Sequence, residues 1–378
     1  MASERKISDN PRVLVVTTRR LGDVLLSTPL VRALRRGLPG ARVDMLVFRG
    51  TEGILAGNPD IDRVIAIPQR PSAAETAKLI FQLWRRYDIA VSTQTGDRPT
   101  ITAAIAGRFR VGLVPKEKSL WKSWVLSRGV TTDSELHRVI NLLRLSAALG
   151  IDTRPDIVVP QQAQRLAPRS AYAVLHANPM HRVKRWTDEG WRALAEALTQ
   201  RGLAVVVTGG PAPDEKEYLD RVWNSARPPV ERLDGRLEWG ELAQLLSGAA
   251  VYVGPDTSMT HLAASAGCPT VAIYGPVSPH VMGPWPVGGL SEPWARAGTI
   301  QNRGNVWVVQ NPLPCMPCDL LGCERHLESY STCLDELAVG QVLEAADLAL
   351  GRAAVMPSVQ PAALAASSNM PLSPPGAA

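Results

Sequence analysis

Three short stretches of this 378-residue chain gather the residue types that acid–base and anion-binding chemistry requires. The first is Thr17-Thr18-Arg19-Arg20-Leu21-Gly22-Asp23, directly after an apolar run. Gly22 permits a tight strand-to-helix turn, and Asp23 then falls at or near the helix start. An aspartate there can cap the helix. It is also ionised at neutral pH and able to take a proton from an attacking hydroxyl. The second stretch, His176-Ala177-Asn178-Pro179-Met180-His181-Arg182-Val183-Lys184-Arg185-Trp186, sets three cations within four residues, just before a helix start marked by Thr187. Cations beside a helix N-terminus suit a phosphate or pyrophosphate, although a solvated basic loop has the same composition. The third is Gly254-Pro255-Asp256-Thr257-Ser258-Met259-Thr260-His261. Here Asp256, Thr257 or Ser258 supplies a cap and leaves backbone N–H groups free for an anion. His261 lies about one turn further on, either beside the ligand or packed in the core.

The elements that must position these stretches follow from periodicity. Arg12–Thr17, Arg42–Phe48, Val64–Ile67 and Asp88–Ser92 read as buried strands, and Val24–Arg36, Ser72–Arg86 and Ser134–Leu149 as helices. Residues 151–169 hold three prolines and no helical period, which marks a linker. The alternation restarts with strands at Tyr172–His176, Ala204–Thr208, Ala250–Gly254 and Thr270–Tyr274. Helices at Asp188–Gln200, Asp214–Asn224, Trp239–Ser247 and Thr257–Ala266 separate them. This predicts an α/β protein of two doubly wound, Rossmann-like domains, residues 12–160 and 170–335, facing across a cleft. All three stretches would then lie at the C-terminal edges of the two sheets. A last helix, residues 336–352, is expected to pack back on the first domain. Residues 353–378, uncharged and rich in Ala, Pro and Ser, are expected to be disordered.

Other classes are excluded by what the sequence lacks. No two glycines are separated by a single residue, so no dinucleotide fingerprint exists, and no P-loop, nucleophile elbow or zincin pair occurs. The balance of 41 Lys plus Arg against 35 Asp plus Glu suits an anionic ligand or an anionic membrane surface. No nucleic-acid-binding module accompanies it, and no nucleic-acid partner is expected. The first ten residues are polar, and the uncharged stretch Thr257–Ser291 is broken by five prolines, so neither a secretory signal nor a membrane span is read. A cytoplasmic chain with reduced thiols is the expectation. Cys315, Cys318, Cys323 and Cys333 are spaced C-x2-C-x4-C-x9-C, able to hold structural zinc or iron, or else to be packing thiols or an opportunistic disulfide. Lys116–Trp124 interleaves cations with Trp121 and Trp124. It reads either as a contact for an anionic surface or, by preference, as a solvated helix face with its tryptophans in the core.

Arg12–Thr17 followed by Leu21-Gly22-Asp23-Val24-Leu25-Leu26-Ser27-Thr28-Pro29 resembles the opening of family 9 glycosyltransferases, the lipopolysaccharide heptosyltransferases of GT-B fold. Lys184-Arg185-Trp186, Thr208-Gly209-Gly210-Pro211, Gly254–His261 and Gly267–Pro276 resemble further motifs of that family, in order. The resemblance implies inverting transfer of heptose from ADP-L-glycero-D-manno-heptose to a hydroxyl of the lipopolysaccharide inner core, with no cofactor required for catalysis. It implies Asp23 as general base, with Thr18, Arg19 and Gly22 on the acceptor side. Lys184 would be the catalytic cation on the donor phosphates, with Asn178, Arg185, Asp256, Thr257, Ser258 and His261 around the donor. An acidic ribose ligand is expected after Gly209-Gly210, where Glu215 and Glu217 both qualify. The partners implied are the ADP-activated sugar and a lipid-linked core acceptor met peripherally at the inner membrane surface. Two other readings are a GT-B transferase using another nucleotide sugar or a protein acceptor, and a non-catalytic sugar-nucleotide binder.

Overall fold

The computed structural model describes residues 9–117, 119–162 and 170–353, and the tail expected to be disordered falls outside them save for its first residue. The first sheet contains β1 (Arg12–Thr17), β2 (Arg42–Phe48), β3 (Arg63–Ile67), β4 (Tyr87–Ser92), β5 (Gly107–Val114) and β6 (Arg128–Thr131). They lie in the order β3-β2-β1-β4-β5-β6, all parallel. The second contains β7 (Tyr172–Leu175), β8 (Ala204–Val207), β9 (Glu231–Arg232), β10 (Val251–Pro255), β11 (Thr270–Ile273), β12 (Ile300–Arg303) and β13 (Val306–Val309). Their order is β12-β13-β11-β10-β7-β8-β9, with only the β12–β13 pair antiparallel. The helices are α1 (Leu21–Leu26), α2 (Thr28–Gly37), α3 (Ala73–Leu83), α4 (Asp97–Ala106), α5 (Leu120–Val125), α6 (Arg138–Ala147), α7 (Asp188–Gln200), α8 (Pro213–Trp223), α9 (Trp239–Ser247), α10 (Ser258–Ser265), α11 (Pro279–Met282), α12 (Thr332–Asp335) and α13 (Val339–Ala353).

Alternation along β1 shows why its run is apolar throughout. Val13 and Val15 pack with Leu30, Leu34 and Leu142 on one face, while Leu14 and Val16 pack with Leu83, Ala103 and Ala106 on the other. Both faces of a parallel sheet are covered by crossover helices, so no polar face is needed. The first cluster runs on without interruption into the second domain, through Met259, Leu262 and Ala263 of α10. The floor of the cleft is therefore an apolar contact between α1 and α10.

One expected helix is divided and another packs elsewhere than expected. Val24–Arg36 breaks at Ser27, whose Oγ donates to the Val24 carbonyl (2.7 Å), while Thr28 Oγ1 donates to that of Leu25 (2.8 Å). Pro29 then suits the first turn of α2, where no backbone donor is required. The last helix, expected over 336–352, is the single helix α13 (Val339–Ala353), and it packs on the second domain. Val342, Ala345, Ala346 and Ala349 of α13 are buried against Leu194, Leu198, Val271 and Val309 of the second. Its small side chains allow close approach there, and Arg201 holds Asp347 through two hydrogen bonds of 2.6 and 2.8 Å.

The reading of Lys116–Trp124 is reversed in its details. Lys122 is the buried residue of α5, paired with Asp97 at 2.9 Å and bonded to the Thr95 carbonyl at the start of α4. Anchored by that lysine, the helix turns Trp124 outward at 87% exposure and Trp121 at 39%. No helix among the described residues is long and apolar enough to cross a membrane.

Candidate active site

Strand order reverses between β1 and β4 in one sheet and between β7 and β10 in the other, which opens a crevice at the C-terminal end of each. The loops after β1, β7 and β10 carry the three stretches singled out above. Arg20, not Asp23, occupies the cap position of α1, and no side chain caps that helix. Asp23 sits inside the first turn with its side chain 15% exposed, facing the Nε atoms of Arg138 at 3.7 Å and Arg19 at 3.8 Å. The capping role is thus not the one it plays. Gly22 is required by proximity, because a Cβ on it would lie 3.3 Å from His261 Cδ2 and 3.9 Å from the Ser258 backbone. The first turns of α1 and α10 are pressed together at that point.

The second and third stretches meet each other. Arg182–Lys184 form a short 3₁₀ turn, and Thr187 caps α7 by accepting from Gly190 N at 3.0 Å. Lys184 Nζ pairs with the Asp256 carboxylate and donates to its carbonyl at 3.3 Å. That carboxylate also accepts from Tyr274 OH at 3.3 Å and lies 3.9 Å from His261 Nε2. Burial pushes the Asp256 carboxyl upward, but Lys184 and the Tyr274 hydroxyl outweigh it and hold the group below its ordinary value. Burial holds the His261 imidazole below its ordinary value, helped by Lys184 and opposed by Asp256 and Asp23. His261 is therefore neutral at pH 7, and it feels the carboxylates of both domains. Across the mouth of the same crevice, Arg20 Nη1 meets His181 Nε2 at 2.9 Å.

The other expected residues fall around this centre with different occupations. Thr257 takes the cap position of α10 without a side-chain cap bond, which leaves the first amides of Ser258, Met259 and Thr260 unclaimed by it. Asn178 is buried, with Oδ1 unpartnered among the described residues. Glu215 accepts from Gly210 N at 2.7 Å at the end of β8, whereas Glu217 is exposed on α8. Arg185 stacks its guanidinium 4.3 Å above the Tyr218 ring, turned toward α8. Thr18 donates to Gln94 Oε1 at 3.1 Å. Arg138, Gln94 and Arg20 are the neighbours that periodicity and spacing did not point to. Arg138 carries no local signal in the sequence, since it reaches Asp23 only through the fold.

The cysteine segment lies apart from this centre. Cys333 is buried and its thiol is pushed up to about 12 by burial and by Cys318, Cys323 and Cys315, while Cys315 and Cys323 face solvent. Cys323 Sγ accepts from Thr332 N at 3.5 Å. Among the described residues no group of three or more His, Cys, Asp or Glu side chains is placed to hold a metal ion.

Two doubly wound domains facing each other across the switch points of their sheets are the GT-B architecture. The chain belongs to glycosyltransferase family 9 (heptosyltransferase), whose family model matches residues 76–289, more than half of its length. It is 29% identical to lipopolysaccharide heptosyltransferase 1 of Escherichia coli K12 over 296 residues, 72% of this chain and 90% of that one. It is 25% identical to lipopolysaccharide heptosyltransferase 3 of Escherichia coli over 294 residues, 70% of this chain and 83% of that one. Its fold is similar to that of the E. coli heptosyltransferase WaaC solved with ADP, at a TM-score of 0.65 and 24% identity, covering 89% of this chain and 99% of that one. The matched span contains Lys184, Asp256 and His261 but not Asp23.

Proposed function

We propose that the protein transfers heptose from ADP-L-glycero-D-manno-heptose to a hydroxyl of the lipopolysaccharide core, with inversion at the anomeric carbon. The observation that carries this reading is the convergence on His261, which lies 3.9 Å from Asp256 of the Lys184–Asp256 pair and packs against Gly22, the residue before Asp23. An inverting displacement needs a base on the acceptor side and positive charge on the leaving side. Asp23 takes the proton of the acceptor hydroxyl as its oxygen attacks the anomeric carbon. The bond from that carbon to the diphosphate breaks on the opposite face, and ADP departs with the electron pair. Lys184 and the uncapped amides of α10 meet the charge that grows on the diphosphate, more in the transition state than before it. In this reading Asn178, Thr257 and Ser258 surround the donor, and Glu215 takes its ribose. The similarity to enzymes named for lipopolysaccharide heptose transfer supports this donor and acceptor.

A lipid-linked acceptor must be met at a surface. Crossover helices α3, α4 and α5 cover one face of the first sheet and present Phe81 (76% exposed), Trp84 (62%), Leu120 (76%) and Trp124 outward. Exposed Lys78, Arg85, Arg86 and Lys116 lie among them. Aromatic residues interleaved with cations suit an anionic lipid surface, and this face is the one read here as its contact.

The direct test is ADP release from ADP-heptose with a set of truncated core acceptors, followed by linkage analysis of the product. Acceptor-dependent release with an inverted linkage is expected. Binding of the donor without any release would leave a non-catalytic binder, and release from UDP- or GDP-sugars in preference to the ADP-sugar would reassign the donor.

A further inference from the structure

The two domains also meet at the start of α6, and that seam holds groups the transfer reading does not use. His137 caps the helix with a neutral ring, its Nδ1 accepting from Val139 N at 3.2 Å. Its Nε2 donates to the Gly283 carbonyl of the second domain at 2.8 Å, and the ring lies against Trp285 with centroids 4.6 Å apart. The next residue, Arg138, opens α6 and faces the base, with Nε 3.7 Å from Asp23 Oδ1 while Nη2 donates to the Thr93 carbonyl at 2.8 Å. That buried Nε has no hydrogen-bond acceptor, so the arginine stands off from Asp23 rather than binding it. The stand-off keeps a carboxylate lone pair free for a proton. A shift of α6 by about 0.5 Å toward Asp23 would close the bond and occupy that oxygen.

The Gly283 end of the seam reaches the donor side through one hydroxyl. Tyr274 is fully buried, and its OH lies 3.3 Å from Asp256 Oδ1 and 3.1 Å from the Met282 carbonyl. A phenol has one proton to give, so the carboxylate and the carbonyl compete for it. A donor sugar whose hydroxyls bond to Asp256 satisfies that oxygen and yields the Tyr274 proton to Met282. The Met282 carbonyl belongs to the peptide that joins it to Gly283, and the Gly283 carbonyl is the one His137 holds. Buried groups therefore run in contact from Asp256 to Asp23: Tyr274, the Met282–Gly283 backbone, His137 and Arg138.

We propose that His137 and Tyr274 are positioning residues that set the base according to what occupies Asp256, acting on Asp23 through Arg138. The relay rests on the reading of Asp23 as the base, and it adds a dependence on the second domain that this reading does not contain. An empty Asp256 holds the Tyr274 hydroxyl and an occupied one releases it, so the stand-off of Arg138 differs between the two states. Seating the donor in one domain thereby brings the base of the other into register.

The test is a pair of double-mutant cycles read on kcat in the ADP-release assay. His137→Asn keeps a cap for α6 but neither reaches Gly283 nor stacks on Trp285. It should lower kcat about 10-fold while leaving KM for the donor within about twofold. Beside Arg138→Met the same substitution should cost less than about twofold more, because the residue it acts through is gone. Tyr274→Phe, which keeps the ring, should lower kcat about 3- to 10-fold alone and less than about twofold beside His137→Asn. Losses that multiply in either cycle would overturn the relay, since a purely structural defect costs the same factor in every background. Turnover of Asp23→Asn near that of the wild type would remove the base itself; an inactive Asp23→Asn together with multiplying losses would keep the base and remove the relay. Hydrogen exchange of the full chain reads the same link without turnover. Saturating ADP-heptose in the absence of acceptor should slow exchange of the Val139 and Asn141 amides in the native chain but not in Tyr274→Phe. Equal slowing in both would overturn the relay.

Discussion

Asp23 and Lys184 are opposed groups with different structural debts. Asp23 makes no cap and no short ion pair, so Asp23→Asn should fold normally and lower kcat by roughly 10²–10⁴-fold in the ADP-release assay. Turnover near that of the wild type would take Asp23 out of the mechanism. Lys184 is bound to a buried carboxylate, and removing it leaves Asp256 without its main partner. Lys184→Met is therefore expected to raise KM for the donor much more than for the acceptor, and to cost about 1–3 kcal/mol in thermal unfolding, less than a fully buried pair would because Lys184 is 31% exposed. Equal losses for donor and acceptor would contradict its place on the diphosphate. Because Asp256 is held below its unfolded value of 3.8, its contribution to stability is complete above that pH and declines only as the pH falls beneath it.

At the scale of elements, α1 and α6 carry the tightest constraints. A valine at position 22 would drive its methyls into the His261 ring, and Gly22→Val is expected to cost about 1–3 kcal/mol and most activity. Helix α6 begins at His137, whose Nδ1 accepts from Val139 N at 3.2 Å while Nε2 donates to the Gly283 carbonyl at 2.8 Å. Burial pushes this imidazole down to about 3. Above pH ~6.5 it is neutral in both folded and unfolded chains and has no effect. Below that, only the unfolded chain takes the proton, so stability should fall by about 1.4 kcal/mol per pH unit down to about 3. Thermal scans from pH 7.5 to 5 would read this, and His137→Asn should flatten the slope. The strands and the three loops were legible because apolar runs and turn residues are local signals. Other elements were not. β5 interleaves Arg108 and Arg110 with its apolar positions, which hides the run that marks a buried strand. Trp121 and Trp124 were misplaced because spacing says which residues share a helix face, not which face is covered. Arg138 and Gln94 were invisible for a related reason: they come beside Asp23 only when β4 and α6 pack against β1.

Taken as a whole, the first domain carries the exposed aromatic face of α3 and α5, while the groups proposed for the donor belong to the second. Vesicles containing phosphatidylglycerol should sediment the chain, and Phe81→Ala combined with Trp124→Ala should reduce that by about tenfold or more. Equal retention of the double variant, or binding as strong to neutral phosphatidylcholine, would exclude this face. The domains also touch at other points: Trp285 Nε1 donates to the Pro155 carbonyl at 2.8 Å, and Arg296 pairs with Glu135 at 2.7 Å. The unbroken apolar floor has a further consequence. Val24 and Leu25 on one side and Met259 and Leu262 on the other would be left wet by any cut in the linker. Fragments ending and starting there should aggregate when made singly, yet recover soluble, donor-binding material when co-expressed, so that neither lobe can be engineered apart from the other.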